Sequence, residues 1–238
     1  MSENIEGYWL EWNSHRRGNM KKILGIVIRM LLGFLLCACG TVMALNSRLG
    51  LSPWDVFHQG LTKVTGITLG QASIIVGIVI VIITSVLGLK VGIGTIANMI
   101  VIGCFIDLII YTKLIPVCNS IGTGMLMMIG SLFVSAVGSY FYIGCEMGCG
   151  PRDGLMIALV KLTSKPISLI RFGIEMGALI IGWILGGFVG VGTFITAFGI
   201  GYCVQIVYKL LKFDVKALSH RNIKQGFIFI NNCILNQR

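Results

Sequence analysis

Six ionisable residues, Asp55, Asp107, Arg152, Asp153, Arg171 and Glu175, sit in or beside long uncharged runs, with Trp54 next to the first of them. Burying an unpaired charge in hydrocarbon costs several kcal/mol, so such groups either find partners or line a polar path. At about 1.5 Å per residue, Glu175 lies roughly 13 Å along a helix that starts at Pro166, close to the middle of a bilayer. Arg171, at i−4, shares its helix face and is placed to neutralise it. Asp107 lies about 9 Å from Lys113 by the same count. For both carboxylates two readings stand: a place on a solute pathway, or a satisfied contact between helices. Arg29, in the second turn of its run, can snorkel to the headgroups.

Asp55 and Asp153 share a local pattern. Ser52-Pro53-Trp54-Asp55 reads as a helix start, with Ser at the N-cap, Pro at the first position and Asp at the third. Gly150-Pro151-Arg152-Asp153 repeats it with Gly as the cap. Each opens about a dozen residues, closed by Thr65-Gly66 or Thr163-Ser164; that is too short to span a bilayer, and His58, Gln59 and Lys63 make the first too polar to face lipid. Both read as short interfacial or re-entrant helices, one on each side of the membrane. Their N-terminal amides either line a solute path or are simply capped by their own Asp. Arg152, where the first copy has Trp54, is either an anion contact or a topology-setting charge.

Gly92-x-Gly94-Thr95 and Gly190-x-Gly192-Thr193 fall between apolar runs. The first superficially meets a dinucleotide fingerprint, which needs a preceding strand that is absent here. As a tight hairpin, each turn uses Gly for close backbone approach and Thr to cap the next helix; as a gate, each uses the same Gly freedom to move. Gly173-x3-Gly177 fits close helix packing. The three His (His15, His58, His220) are far apart, and no HExxH, GxSxG or phosphate loop occurs, so enzymatic activity is not expected. No cofactor or metal is expected either. The eight Cys read as small hydrophobes, with Cys145-x3-Cys149 the one close pair near a membrane surface that admits a redox or metal reading.

The elements that must position these groups follow from composition. The 238 residues are 55% hydrophobic and 12% charged, with a mean hydropathy of +0.90. Soluble domains carry about 25% charged residues, so half that density leaves too little polar surface for a soluble globule, and the apolar content excludes disorder. Six runs are long enough to span: from after Lys22 to near Asn46, then about 68–89, 95–111, 121–144, 166–187 and 191–211. The first 22 residues are too polar, and the following run too long, for a cleaved signal; Tyr8, Trp9, Leu10 and Trp12 with nearby Arg and Lys suit an interfacial segment. The basic tail 213–238 carries no assigned chemistry.

The net charge of +10 arises from basic residues in tails and loops, where lipid and topology account for it without nucleic acid. With the N-terminus inside, 15 of the 19 Lys and Arg fall on the cytoplasmic side, against Arg48, Lys63 and Lys113 outside and Arg29 within the membrane. Both termini are therefore expected in the cytoplasm.

The chain also repeats itself at an offset of 98 without gaps. Pro53 pairs with Pro151, Asp55 with Asp153, Lys63 with Lys161, and each residue of Gly92-x-Gly94-Thr95 with its counterpart in Gly190-x-Gly192-Thr193. Asp107 pairs with Gln205. Each repeat holds three spans, an odd number, so the second enters the membrane inverted relative to the first. The expectation is an all-α membrane protein of two inverted three-helix repeats, 23–113 and 121–212, each with a short extra helix, flanked by tails 1–22 and 213–238. Such inverted repeats organise many secondary transporters.

The run Gly50-Leu51-Ser52-Pro53-Trp54-Asp55, then Gly60-Leu61, Gly92-Ile93-Gly94-Thr95, Asn98 and Asp107, resembles the bacterial YczE/YitT-like integral membrane proteins. The likeness covers most of 23–212, including Gly150-Pro151-Arg152-Asp153-Gly154. It implies a bacterial multi-pass inner-membrane protein and brings no substrate or catalytic residue. The functional expectation is a permease for a small polar or anionic solute, with the lipid bilayer as its medium. The alternative is a non-transporting accessory protein acting through a membrane partner or a second copy of itself.

Overall fold

The structure is a computed structural model that describes residues 3–89, 91–148 and 150–213, with side chains from Ile23 onward. The described residues form eight helices and no strand: α1 (Glu3–Asn46), α2 (Pro53–Thr65), α3 (Leu69–Val86), α4 (Ile93–Thr112), α5 (Ile121–Ile143), α6 (Pro151–Thr163), α7 (Ile167–Ile184) and α8 (Val191–Leu210). Six are long and apolar enough to cross a membrane: the Ile23–Asn46 part of α1, and α3, α4, α5, α7 and α8. The helix α1 starts well before that span, because no proline interrupts residues 3–22. The interfacial reading of Tyr8, Trp9, Leu10 and Trp12 concerns side chains outside the described residues, as do Cys149 and the tail beyond Phe213.

The long helices are dressed for lipid. Ile78, Val79 and Ile82 on α3, Leu126 and Ile129 on α5, and Phe194 and Phe198 on α8 all point outward. In water such a surface would aggregate; in a bilayer it is the solvent-facing surface. Inside, α1 and α5 form the most extensive helix pair, and small residues let their backbones meet. A Cβ on Gly33 would stand 2.9 Å from the Gly138 carbonyl oxygen, and one on Gly138 2.9 Å from that of Gly33. Lipid offers no hydrophobic drive for helix pairing, so this close van der Waals approach supplies it. Around this pair, α4 packs on α1 and on α3, and α8 packs on α5.

The short helices follow their sequence signals. The Asp55 amide donates to Ser52 Oγ at 3.3 Å at the start of α2, and left-handed Gly66 ends it. At α6 the caps are Gly150 and left-handed Ser164. Thr68 and Gln71 form a capping box that opens α3. The helix bounds recur 98 positions apart for α2 and α6, α3 and α7, and α4 and α8. So do the positive φ angles: Arg48 and Glu146 (57° and 54°), Gly50 and Gly148 (127° and 132°), and Gly88 and Gly186 (81° and 89°). The duplication thus reaches the backbone.

Packing does not follow it fully. In α2, Pro53, Trp54, Asp55, Val56, His58 and Gly60 are buried, but in α6 only Pro151, Gly154 and Ala158. The helix α3 packs on both α4 and α6, whereas its counterpart α7 packs on α2, the equivalent of α6, but scarcely touches α8.

Candidate functional site

The N-termini of α2 and α6 meet at a cavity of about 360 Å³ between the long helices. It is lined by Trp54, Asp55 and His58 from α2, Arg152 and Asp153 from α6, and Arg171 and Glu175 from α7. Asn98 of α4, Tyr142 of α5 and Cys37 of α1 add to its polar wall, beside several Ser and Thr side chains. Six of the seven residues expected on a solute pathway are therefore together: Trp54, Asp55, Arg152, Asp153, Arg171 and Glu175.

Asp55 is the hub. Ser52 Oγ donates to its Oδ2 at 2.5 Å, closing a two-way cap with the amide bond described above. His58, one turn on, brings Nδ1 to 3.5 Å from Asp55 Oδ1, and Arg152 reaches across from α6 with Nη2 at 3.8 Å from the same oxygen. The Arg152 guanidinium also lies over the Trp54 ring, 5.1 Å from its centre. Asp55 is thus more than a private cap, and Arg152 more than a topology charge: together they join the two short helices.

The side chains of Asp55 and His58 are deeply buried, with the whole residues 8% and 2% exposed. Burial pushes the Asp55 carboxyl up, but hydrogen bonding by His58, the Arg152 charge and the Ser52 hydroxyl outweigh it and hold it below the ordinary carboxylate value. Burial lowers the His58 imidazole, Arg152 lowers it further, and Asp55 only partly opposes them. At neutral pH the cluster therefore holds ionised Asp55, neutral His58 and cationic Arg152. On α7 the pair expected from the i, i+4 spacing forms, with Arg171 Nε donating to Glu175 Oε1 at 3.1 Å.

Asp107 lies elsewhere. Its Oδ2 accepts from Thr68 Oγ1 at 2.5 Å and its Oδ1 from the Gly70 amide at 2.8 Å, so it caps α3 from α4. The glycine turns are also outside the cavity, and each docks on the opposite half. Gly94 donates its amide to the Met147 carbonyl at 2.8 Å and Gly192 to the Leu49 carbonyl at 2.7 Å. Gly92 and Gly190 are the N-caps of α4 and α8, without a side-chain bond of their own. Thr193 acts from the third helical position, accepting from the Gly190 amide at 3.2 Å and the Leu51 amide at 3.3 Å. Thr95 takes the equivalent place beside Gly148. The expected Thr cap thus works backwards from inside the helix, because Gly occupies the cap position.

Arg29 stacks over Tyr140, 5.1 Å from the ring centre. Cys145 is buried, its Sγ 3.3 Å from the Phe141 carbonyl oxygen, which fits a packed thiol. Among the described residues no three His, Cys, Asp or Glu side chains gather to hold a metal ion. His58 is the site residue that sequence reasoning passed over. Its signal was the three-residue spacing from Asp55, which places both on one helix face.

The fold and site define a class: a helical membrane protein with six candidate spans among its described residues and a charged cavity where α2 and α6 meet. Residues 24–209 match a family described as a family of unknown function, DUF6198. Over 167 residues the chain is 34% identical to the Uncharacterized membrane protein YczE of Bacillus subtilis, covering 69% of this chain and 77% of that one. It is 31% identical over 172 residues to an Uncharacterized protein of Haemophilus influenzae, covering 72% and 78%. The Uncharacterized protein YyaS of Bacillus subtilis is 26% identical over 168 residues, covering 69% and 83%. No solved structure matches. The chain belongs to this YczE-like family of membrane proteins.

Proposed function

We propose that the protein is a bacterial inner-membrane permease for a small polar or anionic solute, working by alternating access, with both termini in the cytoplasm. The observation that carries this reading is the cavity: two short-helix N-termini, Arg152 and Arg171 on one side of the charge balance, and Asp55, Asp153 and Glu175 on the other. Its volume of about 360 Å³ falls in the range of small-molecule sites. Helix N-termini add partial positive charge toward an anionic group. These groups suit binding and release, and we assign no bond-making step.

Two features support the transport cycle. Three spans in each repeat make the second an inverted copy of the first, the arrangement in which transporter halves exchange conformations around a fixed site. The unequal packing of α2 and α6 fits one state of such an exchange, closed on the α2 side and looser on the α6 side.

The test is thermal unfolding of the detergent-purified chain against amino acids, organic anions, nucleosides and metal ions. A solute that binds only the folded protein raises its melting temperature, by about 2.7 kcal/mol of stability at a hundredfold excess over Kd. A shift in the wild type that vanishes in Glu175→Gln and Arg152→Gln supports the permease. A shift that persists in both variants removes the cavity from the reading. No shift with any solute favours the accessory reading, in which the basic cytoplasmic face serves a partner.

A further inference from the structure

We propose that Asp55, His58 and Arg152 form a proton-operated latch between the two halves of the molecule, so that the proton is the ligand that drives the cavity open. The inference rests on the permease reading only for what the opening serves; the latch itself stands on geometry. One half contributes a titratable pair, with His58 Nδ1 3.5 Å from Asp55 Oδ1. The other half contributes a fixed cation, Arg152, 3.8 Å from that same oxygen and stacked on Trp54. The duplication separates these roles: where the first half has Trp54 and His58, the second has Arg152 and Met156. Neither half holds the whole device.

The charge arithmetic gives the direction. With His58 neutral, Asp55 and Arg152 cancel and the cluster carries no net charge; Asp55 and His58 are buried, whereas the Arg152 side chain is 43% exposed. One added proton leaves it with a net charge of +1. On His58 the proton sets two cations against one carboxylate; on Asp55 it removes the partner that holds Arg152. Both outcomes weaken the cross-link, and in the first the added charge falls on buried His58, where it is costly. The wall around the cluster does not supply a replacement anion without loss. Glu175 of α7 is engaged by Arg171, and Asp153 stands beside Arg152 on α6, making an interaction of its own. From α1 and α5 the lining is Cys37, Thr41, Ser131, Ser135, Ser139 and Tyr142, none of them a carboxylate, and α3, α4 and α8 offer only Ser73, Asn98 and Thr196 as polar lining. The depressed imidazole of His58 places its protonation below neutral pH, so the latch is closed at rest. A ligand shifts a two-state equilibrium by its differential affinity, and here the proton prefers the open state.

Cys37 lines the cavity and reports on opening. The full chain in lipid nanodiscs is treated with N-ethylmaleimide across the range in which histidine titrates, about pH 8 to about pH 5. Modification of the Cys37 peptide is read by mass spectrometry and divided by its rate in the same chain unfolded at the same pH, which removes the ordinary loss of thiolate on acidification. The expected ratio rises on the order of tenfold on acidification in the wild type, as the open population grows by the same factor. His58→Gln should stay slow at every pH, Arg152→Gln fast at every pH, and Arg152→Lys should restore slow labelling at neutral pH. A wild-type ratio flat with pH, or an Arg152→Gln protein as slow as the wild type at neutral pH, overturns the latch. Those results leave the solute panel untouched, so a ligand-induced shift there would keep the permease while discarding the proton.

Discussion

At Asp55 and His58 the direction of each titration follows from its surroundings, and stability should inherit it. The His58 imidazole is lowered on folding, so its favourable burial is complete above the unfolded value of about 6.5 and is lost as pH falls through that value toward the folded one. The Asp55 carboxyl is also lowered, so its contribution is present above about 3.9 and is lost only in stronger acid. The melting temperature in detergent should therefore fall in two stages on acidification. His58→Gln should flatten the stage that begins near about pH 6.5 and keep the lower one; an unchanged upper stage in that variant removes His58 as its source. The residue types at the site were legible in the sequence, because Asp55, Asp153, Arg152 and Glu175 are anomalous in apolar surroundings. Their partners were not. The Asp55–Arg152 contact joins residues 97 apart, and it depends on how two halves dock, which no local spacing encodes. Asp107 shows the same limit: counting residues gives depth along a helix, whereas the Thr68 and Gly70 bonds depend on which way the side chain faces.

Among the elements, the caps and breakers carried most of the information. Ser52-Pro53, Thr65-Gly66 and the apolar runs set helix ends within a few residues, since each acts on backbone groups beside it in the chain. The glycine turns were legible as close approaches, but what they approach was not: each seats on a loop of the opposite half. A Cβ on Gly94 would lie 2.9 Å from the Met147 carbonyl oxygen and 3.0 Å from its carbon, both backbone atoms with little room to yield. Gly94→Ala should break the Gly94–Met147 bond and destabilise the detergent-solubilised protein by about 1–3 kcal/mol. Gly122→Ala is the control, because its Cβ meets nothing within 4 Å on the same class of helix; alanine there should be neutral or stabilising by about 0.5–1 kcal/mol. Equal melting temperatures for the two variants would mean that the turn is not a tight joint between the halves, and would favour its reading as a moving gate.

For the whole molecule, the informative feature is a duplication obeyed by the backbone and broken by the packing. Ile74 of α3 sits against Gly103 of α4, where its Cγ1 lies 2.5 Å from the position of a Gly103 Cβ. The equivalent pair in the second half is Phe172 and Gly201, yet Phe172 is 62% exposed and a Cβ on Gly201 meets nothing within 4 Å. Asp107 supplies one cause, since it ties α3 to α4 and has Gln205 as its counterpart, a residue without the charge to hold α7 as firmly. If the halves exchange conformations, α7 must come to α8 while keeping a contact with α2, as α3 packs on both α4 and α6, bringing Phe172 onto Gly201 as Ile74 lies on Gly103. Cysteines at both positions, Phe172→Cys with Gly201→Cys, in a chain freed of its other thiols, should then form a disulfide under mild oxidation. Disulfide geometry demands Cα atoms within about 7 Å, so a cross-link reports contact and not mere proximity. The bond should form faster when an identified solute or acid populates the other state, and a solute that speeds it should still stabilise the cross-linked protein, because the locked state is the one it binds. If no cross-link forms under any of these conditions, α7 and α8 stay apart, and the asymmetry belongs permanently to the fold through Asp107 and its missing counterpart rather than to a transport cycle.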